Sequence, residues 1–410
     1  MSVEKGSVKF SSPSDPILLL NETRNDFKWM SENECVHDDE NYECTRVVLH
    51  DFNEIFHCVD EFDHSSVLAV PKLREKLNHQ QFSLQFHHVQ TLGELNRKGS
   101  LNSRFNYPID VKIGYHLNCL IVSDSTNKRL QFFDLTTKEY QSTLSLPFRP
   151  AQITVQEGSF GNCFVHIYIT ESEHGIIHKY DLRKFVQEEY SNLQDLRIWS
   201  TSESIRQTPH LQFLNLDIDN LEFDGGTCIE QFNAEFHTSV LYVCSNQTPK
   251  RIFVLNCENG HVLKIISLTN SSFKQMSAIH LAPTQHMLLI VDSMAHHLKL
   301  IDKNSGTIVK IIGKYGGGAS KGNTKPLHFS YPRNLCIDYK THLVYICDSA
   351  NNRIQVLHLA EKCKFVKEFG NQSLFNMSGR FKTPSGICMN EQSGELIVAD
   401  TQLQRVQIFR

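Results

Sequence analysis

The sequence predicts an all-β protein, a six-bladed β-propeller built from repeated four-stranded modules, and three observations lead there. First, one nine-residue phrase recurs: Asp124-Ser-Thr-Asn-Lys-Arg-Leu-Gln-Phe, Asp348-Ser-Ala-Asn-Asn-Arg-Ile-Gln-Val and Asp400-Thr-Gln-Leu-Gln-Arg-Val-Gln-Ile, with a weaker copy at Asp292-Ser-Met-Ala-His-His-Leu-Lys-Leu. Second, a short apolar run precedes each copy, and Pro108, Pro332 and Pro384 open a further strand upstream of three of them. Strand, tight turn and strand, repeated every few tens of residues, mark a propeller or solenoid array. Third, Arg410 falls just after the third strand of the sixth repeat, which would leave a bare sheet edge. Phe86–Gly93 reads like the fourth strands that end Lys310-Ile-Ile-Gly313 and Lys367-Glu-Phe-Gly370. Residues 84–93 are therefore expected to complete the last blade and close the ring.

The repeats fall near 104–146, 147–201, 225–268, 276–313, 329–369 and 381–410. In the fifth, the strands are expected at 334–338, 343–347, 353–359 and 365–369. Their continuous apolar runs suit strands buried on both faces. Ser/Asn-rich turns such as Asp348–Asn352 can satisfy their own backbone. The second repeat lacks the Asp and Arg, and an insertion at 183–224 follows it, with a fourth strand expected near Leu196–Thr201.

Residues 84–410 thus form the propeller, and residues 1–80 read as a separate leader, partly helical or irregular. The leader holds eight Lys/Arg against sixteen Asp/Glu, and the remainder 33 against 29, so a net charge of −4 hides two modules of opposite sign. Phe52, Ile55, Phe56, Val59 and Phe62 have helical spacing, and Pro71 would interrupt a helix running through it. No apolar run approaches the roughly 20 residues of a membrane span. The twelve Cys contain no CxxC pair, and several lie in strand-like runs where a reduced thiol packs as a small apolar group. A reducing, cytoplasmic setting is expected.

The wording of the repeats resembles the NHL family, whose repeat runs Pro-x-Gly-Ile, then Val-Ala-Asp, then Asn-x-Arg-Ile-Gln-Val. Pro384, Gly386, Ile387, Val398, Ala399, Asp400, Arg405, Val406, Gln407 and Ile408 match it, as do Pro332, Cys347, Asp348, Asn351, Arg353, Ile354, Gln355 and Val356. The resemblance implies a six-bladed propeller and a non-enzymatic interaction module. It makes substrate recognition in ubiquitin-dependent degradation a plausible setting. It also touches amidating lyases with a histidine-bound zinc, for which His116, His280 and His286 would be candidates, although no motif nominates them.

The repeated Asp124/Arg129, Asp348/Arg353 and Asp400/Arg405 pairs, with Asp292, read as structural, because one active site needs one constellation whereas every blade needs its turn fixed. The Gly-rich stretch Gly313–Gly322 fits no phosphate-loop pattern, and a blade linker, not a helix, is expected after it. No catalytic residue, metal site or cofactor is expected. If the first strand of each blade starts at a top face, the preceding loops and the second-to-third strand turns share that face. Arg149, Arg333, Lys128, Lys250, Arg251, Lys325, Arg380 and Lys382 then gather there with Tyr107 and Tyr331. This face suits a protein partner, or single-stranded RNA as the alternative. No DNA or membrane partner is expected, and the propeller is expected to be monomeric.

Overall fold

The computed structural model describes residues 80–158, 164–187, 191–208, 221–268, 273–283, 286–317, 325–360, 363–370 and 378–410, together with three strands of the leader. Contacts divide the chain into two units, 1–77 with 158–163, and 78–157 with 164–410. In the first unit β1 (Ile17–Asn21) pairs antiparallel with both β2 (Asp26–Met30) and β3 (Cys44–Val48). The leader was expected to be irregular or partly helical. Its Ile17–Leu20 run, far too short to span a membrane, is instead the middle strand of a small sheet. The helical spacing over 51–78 lies outside the described residues.

The second unit opens with β4 (His88–Leu92) and continues as six antiparallel sheets. Blade I comprises β5–β8 (Pro108–Gly114, Cys119–Asp124, Arg129–Asp134, Tyr140–Ser145) and blade II β9–β12 (Pro150–Glu157, Val165–Glu171, Ile177–Asp181, Arg197–Ser200). Blade III comprises β13–β16 (Thr227–Asn233, Thr238–Ser245, Arg251–Asn256, Val262–Ser267) and blade IV β17–β20 (Met276–Leu281, Met287–Asp292, His297–Asp302, Ile308–Ile312). A short parallel pair, β21 (Lys314–Tyr315) with β22 (His328–Phe329), staples the next linker. Blade V comprises β23–β26 (Pro332–Asp338, Leu343–Asp348, Arg353–His358, Lys364–Phe369), and blade VI β27–β29 (Pro384–Asn390, Glu395–Asp400, Arg405–Phe409) with β4 as its fourth strand. Among the described residues, short helices at Leu182–Val186 and Leu193–Leu196 lie between blade II's third and fourth strands, and another at Thr201–Ser204 follows the fourth.

Each blade's first strand touches the first strands of both neighbouring blades, which closes a ring of six. The closure lies where the repeats place it. Leu92, Thr91, Gln90 and His88 pair with Val406, Gln407, Ile408 and Phe409. The backbones of His87 and Arg410 add two reciprocal hydrogen bonds. The segment before β4 continues the seal: Phe82 and Phe86 are buried between blades V and VI, and Phe86 stacks on Phe369 with centroids 4.3 Å apart.

The core is a series of inter-blade clusters, and it explains why these strands read as unbroken apolar runs. Both faces of a blade are covered, so Leu396, Ile397, Val398 and Ala399 are all fully buried, Leu396 and Val398 toward blade V and Ile397 and Ala399 toward blade I. Each such Leu, Ile or Val contributes roughly 1.5–3 kcal/mol of burial.

Candidate functional site

Where the first strands converge they border a channel, and two glycines decide how narrow it is. The third position of the first strand holds Asp110, Gln152, Ala278, Asn334 and Gly386 in blades I, II, IV, V and VI, and in blade III the matching residue is Gly226, just before Thr227. A Cβ on Gly386 would stand 2.4 Å from the Asp110 Cα, and one on Gly226 2.3 Å from the Ala278 Cα. With no side chain at those positions, blades one step further apart meet. Asn334 Nδ2 of blade V donates to Asp110 Oδ1 of blade I at 3.2 Å, and the Gln152 side-chain amide of blade II donates to the Ser277 carbonyl of blade IV. Two positions deeper come Lys112, Thr154, Cys228, His280, Cys336 and Cys388. Burial, with Lys112 nearby, lowers the His280 pKa to about 3. Burial pushes the Cys388 thiol up to about 12 and raises those of Cys228 and Cys336, so these groups are neutral and poor nucleophiles.

The repeated Asp and Arg residues hold the top-face loops. Asp348 Oδ1 accepts from the Ser330 N–H and Oδ2 from Asn351, Arg353 and Gln355. The Arg353 guanidinium then reaches the carbonyls of Lys325 and His328 in the linker entering the same blade. Asp124 with Arg129, and Asp400 with Arg405, repeat the arrangement. In blade IV the cation comes from a different position. Lys299, seven residues after Asp292, bonds to that carboxylate and also lies over the Phe273 ring at 4.2 Å. Burial raises the Asp348 and Asp400 carboxyls despite their partners.

The top-face residues do not form one uniform basic surface. Arg149 is exposed but pairs with Glu173 at 3.5 Å, and Glu171 lies in the same turn of blade II. Lys250 and Lys128 are turned onto the Asn246 and Pro147 carbonyls, and Arg251 is half-buried at a strand start. Arg380 offers its carbonyl to Arg405 and Gln407, and Lys382 its amide to Asp400. Lys325, although its carbonyl serves Arg353, is exposed. Tyr107 and Tyr331 are 42% and 48% exposed. Arg333 is accessible to solvent yet ringed by protein at the channel mouth. Burial lowers its pKa, with the Tyr107 phenol and Cys347 acting the other way.

What the sequence reading missed is the company Tyr331 keeps. The His296 ring lies 4.6 Å from that of Tyr315 and 4.8 Å from that of Tyr331, which it meets edge-on at 87°. Tyr315 is 64% exposed and Met294, in the His296 turn, 48%. Exposed Lys274 acts on His296, exposed Lys314 adjoins Tyr315 in the chain, and exposed Lys325 lies in the linker that leads to Tyr331. The seam between blades IV and V is thus aromatic, apolar and cationic, and it adjoins Arg333. Elsewhere, a cleft of about 480 Å³ at the base of blade V is lined by Gln81, Thr341, Leu343, His358, Lys364, Phe365 and Val366.

His116 and His286 sit in the base turns of blades I and IV, away from His280 in the channel, so the three do not converge. Among the described residues, Glu171, Glu173 and His174 on the rim of blade II are the group close enough to share an ion, and two of the three are exposed. No helix among the described residues is long and apolar enough to cross a membrane.

Ring closure, interleaved blades and turn-fixing Asp/Arg pairs define a β-propeller whose variable loops share one face. Residues 329–357 and 381–409, blades V and VI, match the NHL repeat family, so the β-propeller carries NHL repeats in those two blades. It is 26% identical over 155 residues to NHL repeat-containing protein 2 of Bos taurus, an alignment covering 34% of this chain and 21% of that protein. It is 22% identical over 122 residues to peptidyl-glycine alpha-amidating monooxygenase B of Xenopus laevis, covering 29% and 13%. The match therefore spans about a fifth or less of these relatives' lengths. An auxiliary nutrient binding protein from Bacteroides thetaiotaomicron superposes with a TM-score of 0.54 at 14% identity, over 78% of this chain and 76% of that one, a likeness of fold.

Proposed function

We propose that the propeller is a non-enzymatic module that holds a protein partner on its top face, centred on the seam between blades IV and V. The observation that carries this reading is the exposed Tyr315–His296–Tyr331 cluster with Met294. Aromatic and Met side chains left in water lose solvent contact on docking, and such residues are enriched at interface centres. The setting proposed for it is substrate recognition in ubiquitin-dependent degradation, and the buried free thiols suit a reducing cytoplasm.

RNA is the second reading, favoured by Lys274, Lys314 and Lys325 beside two tyrosines that could stack on bases. Affinity capture with the full chain and with a Tyr315→Ala/Tyr331→Ala variant separates the two. Proteins lost from the variant, and bound with little salt dependence, support the first. Nuclease-sensitive capture that weakens steeply with salt transfers the face to RNA. An unchanged set of captured molecules removes the seam from either role.

A further inference from the structure

Arg333 differs from the arginines that fix the top-face loops. Arg353, Arg405 and Arg129 each serve a buried Asp, and Arg149 faces Glu173. The Arg333 carbonyl accepts from Ser277 Oγ at 2.8 Å, but no described acid lies within ion-pair distance of its guanidinium. It projects from the second position of blade V's first strand at the channel mouth, next to Tyr331 and facing Tyr107 of blade I. Protein crowds it enough to depress its pKa. A guanidinium that is open to solvent and has no counter-charge of its own is available to an anion arriving from outside. Its planar fork is suited to a carboxylate.

The charges around it select among anions. A long polyanion crossing this face would meet Glu171, Glu173 and Glu222 on the rim between blades II and III, where they hold His174 more basic than usual. An acidic peptide confined to the other side would meet Lys274, Lys314, Lys325 and the tyrosines instead. We propose that Arg333 anchors a carboxylate side chain of an acidic, aromatic-bearing peptide segment laid over the blade IV–V seam. This rests on the protein-partner reading above and names the chemistry of the partner.

The test is selection of a phage-displayed random peptide library on the full chain, followed by titration of the enriched peptides against wild type, Arg333→Gln, Arg333→Lys and Arg149→Gln. Matching thermal unfolding curves establish that each variant is folded. The expected result is enrichment of Asp or Glu near an aromatic residue. Binding should weaken about tenfold or more in Arg333→Gln, the loss of one charge-assisted contact, less in Arg333→Lys, and not at all in Arg149→Gln. Enriched peptides without acids, or equal binding to Arg333→Gln, overturn the assignment and leave a protein-binding face in place. If no peptide enriches and a decauridylate binds instead, the protein-partner reading fails and the assignment falls with it.

Discussion

His296 accepts a hydrogen bond through Nδ1 from the backbone N–H of Tyr331 at 3.0 Å, so the last residue of one blade's turn latches the chain entering the next. Asn352 Oδ1 takes the Thr383 N–H and Gln404 Oε1 the Tyr107 N–H in the same way. All three acceptors sit in left-handed turn residues, with φ of 61°, 56° and 57°. Hydroxyls three residues earlier in each turn reinforce the same three junctions: Ser293, Ser349 and Thr401 donate to the carbonyls of Pro332, Pro384 and Pro108.

One of these latches is titratable. A protonated His296 has no acceptor at Nδ1, whereas Asn and Gln keep theirs at any pH. Burial, then Lys274, lowers the His296 pKa, while Asp292 and Asp348 act the other way and His297 adjoins it. The unfolded chain therefore takes up this proton more readily than the folded one. The stability it confers is present above the free-imidazole value of about 6.5 and is lost as pH falls through the folded value. His296→Asn should unfold at the wild-type temperature near pH 8 and above it near pH 5, measured by thermal denaturation across that range. Parallel pH curves for the two proteins would count against the latch.

Gly386→Ala should destabilise the ring at the seam between blades VI and I. Its Cβ would meet the Asp110 Cα at 2.4 Å and the Ile109 carbonyl at 2.7 Å, backbone atoms that cannot swing aside. Overpacking of this kind costs about 1–3 kcal/mol. Equilibrium denaturation reads it directly, and a loss below about 0.5 kcal/mol would mean the blades can separate freely there.

Blades V and VI are legible in the sequence because repetition exposes their rules: an Asp to fix the turn, an Arg to hold the incoming linker, apolar runs for two-sided burial. The closing strand is legible too, since Val89, Thr91 and Leu92 sit in a phrase otherwise found only at blade ends. The seam is not. Tyr315 lies in a Gly-rich linker and His296 in a turn that has lost the repeat's Arg, and only the packing of blade IV on blade V sets His296 beside Tyr331, 35 residues away. Nor does composition show that Glu173 faces Arg149, which divides the top face into cationic and acidic sectors.

Phe86→Ala tests whether the seal extends beyond β4. Phe86 is 4% exposed, stacks on Phe369 and meets Phe82 edge-on at 4.9 Å. Truncating a buried Phe typically costs about 3–5 kcal/mol. The expected signature is a lower denaturation midpoint together with earlier protease cleavage near residue 86, because the lost contacts join the closing segment to blade V. A drop in midpoint without earlier cleavage would place the damage in the core generally.

Blade IV offers a double-mutant test of the turn's logic. The turns of blades I, V and VI draw their cation from five residues after the Asp, where blade IV has His297, and carry a Gln two residues further on, where blade IV has Lys299. Lys299→Gln should leave Asp292 buried without its cation, a change that costs about 3–5 kcal/mol when one partner of a buried pair is removed. Adding His297→Arg restores a guanidinium at the position used by Arg353, and the double variant should recover most of the loss. Recovery would show that the turn requires a buried cation but not a particular donor position, since Lys299 and Arg353 reach equivalent carboxylates from opposite ends of one two-residue step. A double variant no more stable than Lys299→Gln alone would instead tie blade IV's stability to the contact between Lys299 and the Phe273 ring.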